Sequence, residues 1–161
     1  MEGKEMEQHR WKVVITDCDH GSIEEEKREF SLIGAELILA QAREEEDLIR
    51  ACKEADGLIN QYALLTRKVF ESLPNCKVVS RYGVGVDSVD LKAATGLGII
   101  VANVPDYCID EVSNQTIAMI LTLIRKTAFF DRKVKSNQWD FHLGVPIYRI
   151  HGKILGLIGS G

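Results

Sequence analysis

The sequence predicts an α/β fold organised around a five-stranded parallel sheet, and three observations carry that expectation. Short β-branched runs recur at 12–16, 36–39, 57–60, 77–80 and 99–102, each about the length of one strand. Helical segments with start and stop signals stand between them, and strands joined through helices need crossover connections, which produce a parallel sheet with helices on both faces. Finally, Gly83-Val84-Gly85 follows the fourth run directly, at the carboxyl end of a strand, where sheets of this kind place ligands.

Residues 1–11 begin Met1-Glu2-Gly3-Lys4-Glu5-Met6-Glu7, a polar, acidic tail. The first strand leads to a helix marked by Ser22 with Glu25 three residues on, the pattern of a capping box. Glu24, Glu25 and Glu26 suit the positive end of that helix, and Gly34 closes it. The acidic run 44–47 opens a second helix. Thr66 opens a third, which must end near Leu73 because Pro74 follows, and Asp87 or Ser88 opens a fourth that closes at Gly96. Residues 12–104 are therefore expected to form the α/β domain.

After Pro105 the rhythm changes. Residues 110–126 spell one long helix in which Val112, Ile117, Ala118, Met119, Ile120, Leu121, Leu123 and Ile124 surround most of the circumference. Such a helix expects cover on most sides, and one sheet supplies only one, so a second domain or subunit is implied. A further amphipathic helix is expected over 129–139, ending near Asn137 and completing a crossover segment at 105–139. The stretch 140–152, with Pro146 and two glycines, reads as a linker, and 154–158 as a sixth, buried strand that begins another domain.

A net charge of −4 argues against a general affinity for nucleic acid or for an anionic membrane. The longest strongly apolar stretch, 117–124, is far short of the roughly 20 residues of a membrane span. The start is unlike a secretory signal, so a cytoplasmic protein is expected. Cys18, Cys52, Cys76 and Cys108 are widely spaced with no C-x-x-C pair, which signals neither a metal site nor a disulfide framework, and four reduced thiols are expected.

The motifs are more specific. Gly159-Ser160-Gly161 supplies the first half of a G-x-G-x-x-G dinucleotide fingerprint, in which the first glycine makes the tight turn and the second admits the pyrophosphate. Upstream, Ser80-Arg81-Tyr82-Gly83-Val84-Gly85-Val86-Asp87-Ser88-Val89-Asp90-Leu91-Lys92-Ala93-Ala94 precedes Gly98-Ile99-Ile100-Val101-Ala102-Asn103-Val104-Pro105. Together with Asp106-Tyr107-Cys108 and Glu111-Val112-Ser113, this run resembles the D-isomer-specific 2-hydroxyacid dehydrogenases, in the branch of phosphoglycerate dehydrogenase-like enzymes and the carboxyl-terminal binding protein relatives. The resemblance spans residues 12–161.

It implies a flavodoxin-like substrate domain, a crossover helix and the first strand of a Rossmann nucleotide-binding domain. The implied activity is reversible hydride transfer between NAD or NADP and a small 2-hydroxy or 2-oxo acid. By the same resemblance the backbone of Gly83, Val84 and Gly85 grips the substrate carboxylate. Val84 also faces the nicotinamide, and Gly159, Ser160 and Gly161 belong to the cofactor site. The plainer alternative is that Gly83 and Gly85 only make a tight strand-to-helix turn. Gln61 and Tyr62 stand where many relatives carry an Arg-Ser pair, and they offer substrate neutral donors instead of a charged fork, which weakens the case for phosphoglycerate. Ser113-Asn114-Gln115 similarly replaces a small-acidic-His pattern.

The family's catalytic Arg, His and Glu fall beyond residue 161, and His9, His20, His142 and His151 match none of them. For the 161-residue chain alone, the expectations are no turnover, very weak or no cofactor binding, and homo-oligomers through 110–126 and the last strand. Two other readings remain open: an interaction module without catalysis, and a magnesium-dependent phosphatase using Asp17 and Asp19 as a D-x-D pair. Against the phosphatase, no second acidic pair follows a later strand, and turn formation and helix capping is the simpler role for these aspartates.

Overall fold

The computed structural model describes residues 10–159. Residues 1–9 of the expected tail, with Ser160 and Gly161, lie outside the described residues.

Five strands form one parallel sheet in the order β2-β1-β3-β4-β5: β1 Lys12–Ile15, β2 Glu36–Leu39, β3 Gly57–Asn60, β4 Val78–Arg81 and β5 Ile100–Ala102. Four helices connect them, α1 Glu24–Leu32, α2 Glu45–Cys52, α3 Arg67–Glu71 and α4 Leu91–Gly96. Alternation along the central strands feeds two apolar layers. Val14, Leu58 and Val79 join Leu48 and Cys52 of α2, Val69 and Phe70 of α3, and Ala93 and Ala94 of α4. On the other face Ile15 and Ile59 meet Ile23 and Phe30 beside α1. All four residues of β3 are buried, as a central parallel strand requires.

Local chemistry sets most helix ends. Thr66 caps α3 by accepting from the Val69 amide at 3.3 Å, and Gly34 takes φ +67 just past α1. Ser22 takes only part of its expected role: its hydroxyl accepts from the Glu24 amide, while Ile23 occupies the cap position. The fourth helix does not open at Asp87 or Ser88. Its cap is Asp90, which accepts from Ala93 at 2.8 Å. Residues 88–90 are spent first on a bridge to Leu65, with Leu65 N donating to Ser88 O and Asp90 N to Leu65 O. A segment paired in this way cannot also be the first turn of a helix.

Compact units divide between Tyr107 and Cys108, three residues later than the expected boundary at 104. The second unit holds α5 Ile109–Arg125, α6 Thr127–Lys135 and a 3-10 turn, Phe141–Gly144. Lys126, at φ +56, separates the two helices, and its ammonium donates to Gly144 O at 2.7 Å. No residue of α5 is buried, although its apolar circumference predicts cover. Residues 154–158 are not a strand. A strand exists through its ladder, this segment pairs with no other among the described residues, and Ile154 and Ile158 are fully exposed.

Candidate active site

A cavity of about 400 Å³ opens at the carboxyl ends of β3 and β4, lined by His20, Gln61, Tyr62, Arg81, Tyr82, Gly83, Val104 and Tyr107. Its walls come from three loops, those after β1, β3 and β4, together with the segment that follows β5.

The β3 loop is shaped by Asp17, which is fully buried. The amides of Gln61, Tyr62 and Ala63 all donate to its carboxylate, at 3.3, 3.1 and 3.1 Å. Arg43 completes the arrangement, with Nε 3.0 Å from Oδ2 and its guanidinium carbon 5.1 Å from the centre of the Tyr62 ring. Asp17 thus replaces an absent sheet partner for three consecutive amides, a long-range role in place of the expected local turn. It is unsuited to nucleophilic attack, because both carboxylate oxygens are occupied and no solvent reaches it. Among the described residues no group of His, Cys, Asp or Glu could hold a metal ion.

Gln61 and Tyr62 reach the cavity, but their donors are already engaged by Asp19. Gln61 Oε1 accepts from the Asp19 amide at 2.8 Å, its Nε2 donates to Asp19 Oδ1, and the Tyr62 hydroxyl lies 3.2 Å from Oδ2. This clamp, with the Gln61 amide contributing most, holds the Asp19 carboxyl below its ordinary value. Gln41 fixes the preceding residue, accepting from the Cys18 amide and donating to Cys18 O. His20 follows, with Nδ1 3.7 Å from Asp19 Oδ1 and its ring edge-to-face with Tyr82 at 4.8 Å. The Tyr82 hydroxyl donates to Glu26 at 2.7 Å; burial, and then this carboxylate, push its pKa well above the ordinary tyrosine value.

The glycine loop is built around a guanidinium. Gly83 has φ +135, and a Cβ at that position would fall 2.0 Å from Nη1 of Arg81, so only glycine leaves room for the side chain. The Gly83 amide donates to Arg81 O at 2.9 Å and is therefore not free to bind an anion in this conformation, which corrects one of the three expected backbone donors. The amides of Val84 and Gly85 have no acceptor among the described residues. Val104 N donates to Gly83 O at 3.1 Å and Asn103 Nδ2 to Val84 O at 2.7 Å, which pins the loop to the strand beside it.

The Arg81 side chain makes no hydrogen bond or ion pair among the described residues, and its buried Nε has no partner. Its signal in the sequence is a cation closing a strand two residues before a glycine, and His20, Tyr82 and Tyr107 give no comparable signal. Of the expected cofactor residues, Val84 is half-exposed and Gly159 takes φ +78, as a tight turn needs. No helix among the described residues is long and apolar enough to cross a membrane.

Comparison with known proteins places this geometry in a family. The model for the D-isomer specific 2-hydroxyacid dehydrogenase catalytic domain matches residues 13–138. The chain is similar to D-3-phosphoglycerate dehydrogenase of Methanocaldococcus jannaschii, 35% identical over 153 residues, covering 93% of this chain and 28% of the relative. It is 33% identical over 126 residues to glyoxylate reductase of Pyrococcus horikoshii, covering 72% of this chain and 37% of the relative. Among solved structures it resembles D-lactate dehydrogenase from Aquifex aeolicus complexed with NAD and lactic acid, with a TM-score of 0.69 and 25% identity over 80% of this chain and 38% of that one. The chain therefore spans about a quarter to two fifths of the length of these proteins. It belongs to the D-isomer specific 2-hydroxyacid dehydrogenase family, and what it carries is the portion matched by the catalytic-domain model.

Proposed function

We propose that this chain forms the substrate-carboxylate wall of a nicotinamide-dependent D-2-hydroxyacid dehydrogenase found in the cytoplasm. The observation that carries the reading is the unspent guanidinium of Arg81 beside two unspent amides, all at the carboxyl edge of a parallel sheet. A carboxylate needs a fixed cation and fixed N–H donors, and donors already held in place cost little to organise when the anion arrives. Val104 and Tyr107 supply apolar surface for the rest of a small acid.

NAD or NADP, when bound to the whole protein, supplies the hydride acceptor or donor at C2 of the acid. Val84, half-exposed beside the loop, is the residue of this chain proposed to meet the nicotinamide, and Gly159-Ser160-Gly161 the segment proposed to approach the pyrophosphate. The work of Arg81 and the loop amides is to hold the acid by its carboxylate and so fix the direction in which C2 points, which orders the reaction without proton transfer by this chain. The apolar residues exposed on α5 support self-association.

The test is a D-lactate titration of the purified 161-residue chain followed by amide and arginine Nε resonances. Shifts confined to Arg81, Val84, Gly85 and the cavity residues are expected. The same material is expected to oxidise no D-lactate with NAD. Saturating D-lactate that leaves residues 81–85 unmoved would refute carboxylate binding, and turnover would refute the assignment of this chain to one wall.

A further inference from the structure

We infer that Asp19 decides which acids the cavity accepts: its carboxylate turns away a second negative charge, so the site takes 2-hydroxy or 2-oxo acids whose only anionic group is the C1 carboxylate. This deepens the carboxylate-binding role proposed above and rests on it.

Among the described residues the cavity holds one unspent cation, Arg81, and a C1 carboxylate would consume it. A substrate with a second anionic group, a tail carboxylate or a phosphate, needs another donor set. The remaining polar side chains of the lining are Gln61, Tyr62, His20, Tyr82 and Tyr107. Asp19 has claimed both ends of the Gln61 amide and the Tyr62 hydroxyl. The Tyr82 hydroxyl is committed to Glu26, a second carboxylate. His20 stands against Asp19, with Nδ1 3.7 Å from its carboxylate. An incoming dianion would therefore meet a carboxylate within one hydrogen bond of two lining side chains, with the Gln61, Tyr62 and Tyr82 donors already committed.

The Asp19 side chain is 57% exposed, so water and salt screen the repulsion, and a discrimination on the order of tenfold is expected in place of a complete block. The clamp also keeps Asp19 charged in moderately acidic solution, because its carboxyl is held below the usual value by Gln61 first and Tyr62 next.

D-lactate and D-malate, which differ by one carboxylate, are the probes, and the readout is the ratio of their dissociation constants for the full 161-residue chain at about pH 8. Wild type should prefer D-lactate. Asp19→Asn, which keeps the shape and loses the charge, should narrow the preference by on the order of tenfold, whereas Asp19→Glu should retain most of it. Added salt should narrow the wild-type ratio alone. If Asp19→Asn does not keep the wild-type amide spectrum, that salt dependence carries the decision.

A ratio that Asp19→Asn leaves within about twofold of wild type, or that Asp19→Glu shifts equally, overturns the inference and leaves carboxylate binding standing. If neither acid moves residues 81–85 of wild type, the proposed function fails and this inference fails with it.

Discussion

Replacing Asp17 by alanine should destabilise the first compact unit more than any exposed substitution. The side chain is fully buried, and its loss strands the three amides it satisfies. Tyr62 is half-exposed, so its amide can turn to water, but Gln61 and Ala63 are buried. Two buried amides without acceptors cost about 1–3 kcal/mol each, and the cavity left by the carboxylate admits at most partial hydration, giving about 3–5 kcal/mol in all. The ion pair to Arg43 adds little, since that guanidinium is half-exposed and can be rehydrated. Asp17→Asn keeps one acceptor oxygen and should lose about half as much. Urea denaturation reads the effect. Trp11 lies in the first unit and Trp139 in the second, so a Trp139→Phe background lets fluorescence report the first unit alone. The midpoint should fall without a change in slope. A loss below about 1 kcal/mol for Asp17→Ala would show that water replaces the carboxylate freely and that Asp17 is not what holds the β3 loop in shape.

Two further outcomes follow from the same packing. Gly83→Ala places a methyl group 2.0 Å from Arg81 Nη1 at a backbone angle of φ +135, so it should cost about 1–3 kcal/mol and displace the guanidinium, abolishing the D-lactate shifts at residues 84 and 85. Wild-type shifts in the alanine variant would refute the claim that this glycine exists to admit Arg81. Among the thiols, burial pushes Cys52 up to about 12 and Cys76 up to about 11, so a disulfide reagent near neutral pH should modify Cys108 quickly and the buried Cys18, Cys52 and Cys76 only on unfolding. Because the folded state raises these two values, the unfolded chain loses thiol protons first as pH rises above the ordinary cysteine value. Stability should therefore fall between about pH 9 and 12, a slope that Cys52→Ala and Cys76→Ala should reduce. Fast modification of all four thiols in the native state would contradict the burial on which this depends.

The strands of the first unit and the start of α3 are legible in the sequence because each rests on local chemistry. Residues 36–39 and 57–60 are apolar runs bounded by turn signals, and Thr66 caps with its own hydroxyl. Expectation and structure part where a long-range pairing outbids a local one. Asp87 and Ser88 look like helix caps, yet the bridge from Leu65 consumes the backbone around them. Residues 154–158 have strand composition, but composition supplies no ladder partner.

The cavity is hidden from the sequence for the same reason. The glycine loop is visible as a motif, whereas the commitment of Gln61 and Tyr62 to Asp19 spans more than 40 residues of chain and leaves no local pattern. The Gly83 amide reads as an anion donor because nothing in the sequence says that it turns back to Arg81 O.

Gln61 and Tyr62 carry no charge, so the arrangement here has to draw its cation from elsewhere. With neutral residues at 61 and 62, the first unit would offer an acid no fixed charge from the β3 loop. Here the cation comes from the end of β4, and it fits only because Gly83 lacks a side chain. The neutral residues at 61 and 62 clamp Asp19, which sets a negative charge beside the cavity. A cation at one loop and a clamped carboxylate at another are the arrangement by which the proposed discrimination works, since the repulsive element, more than the number of donors, is what separates singly from doubly charged acids.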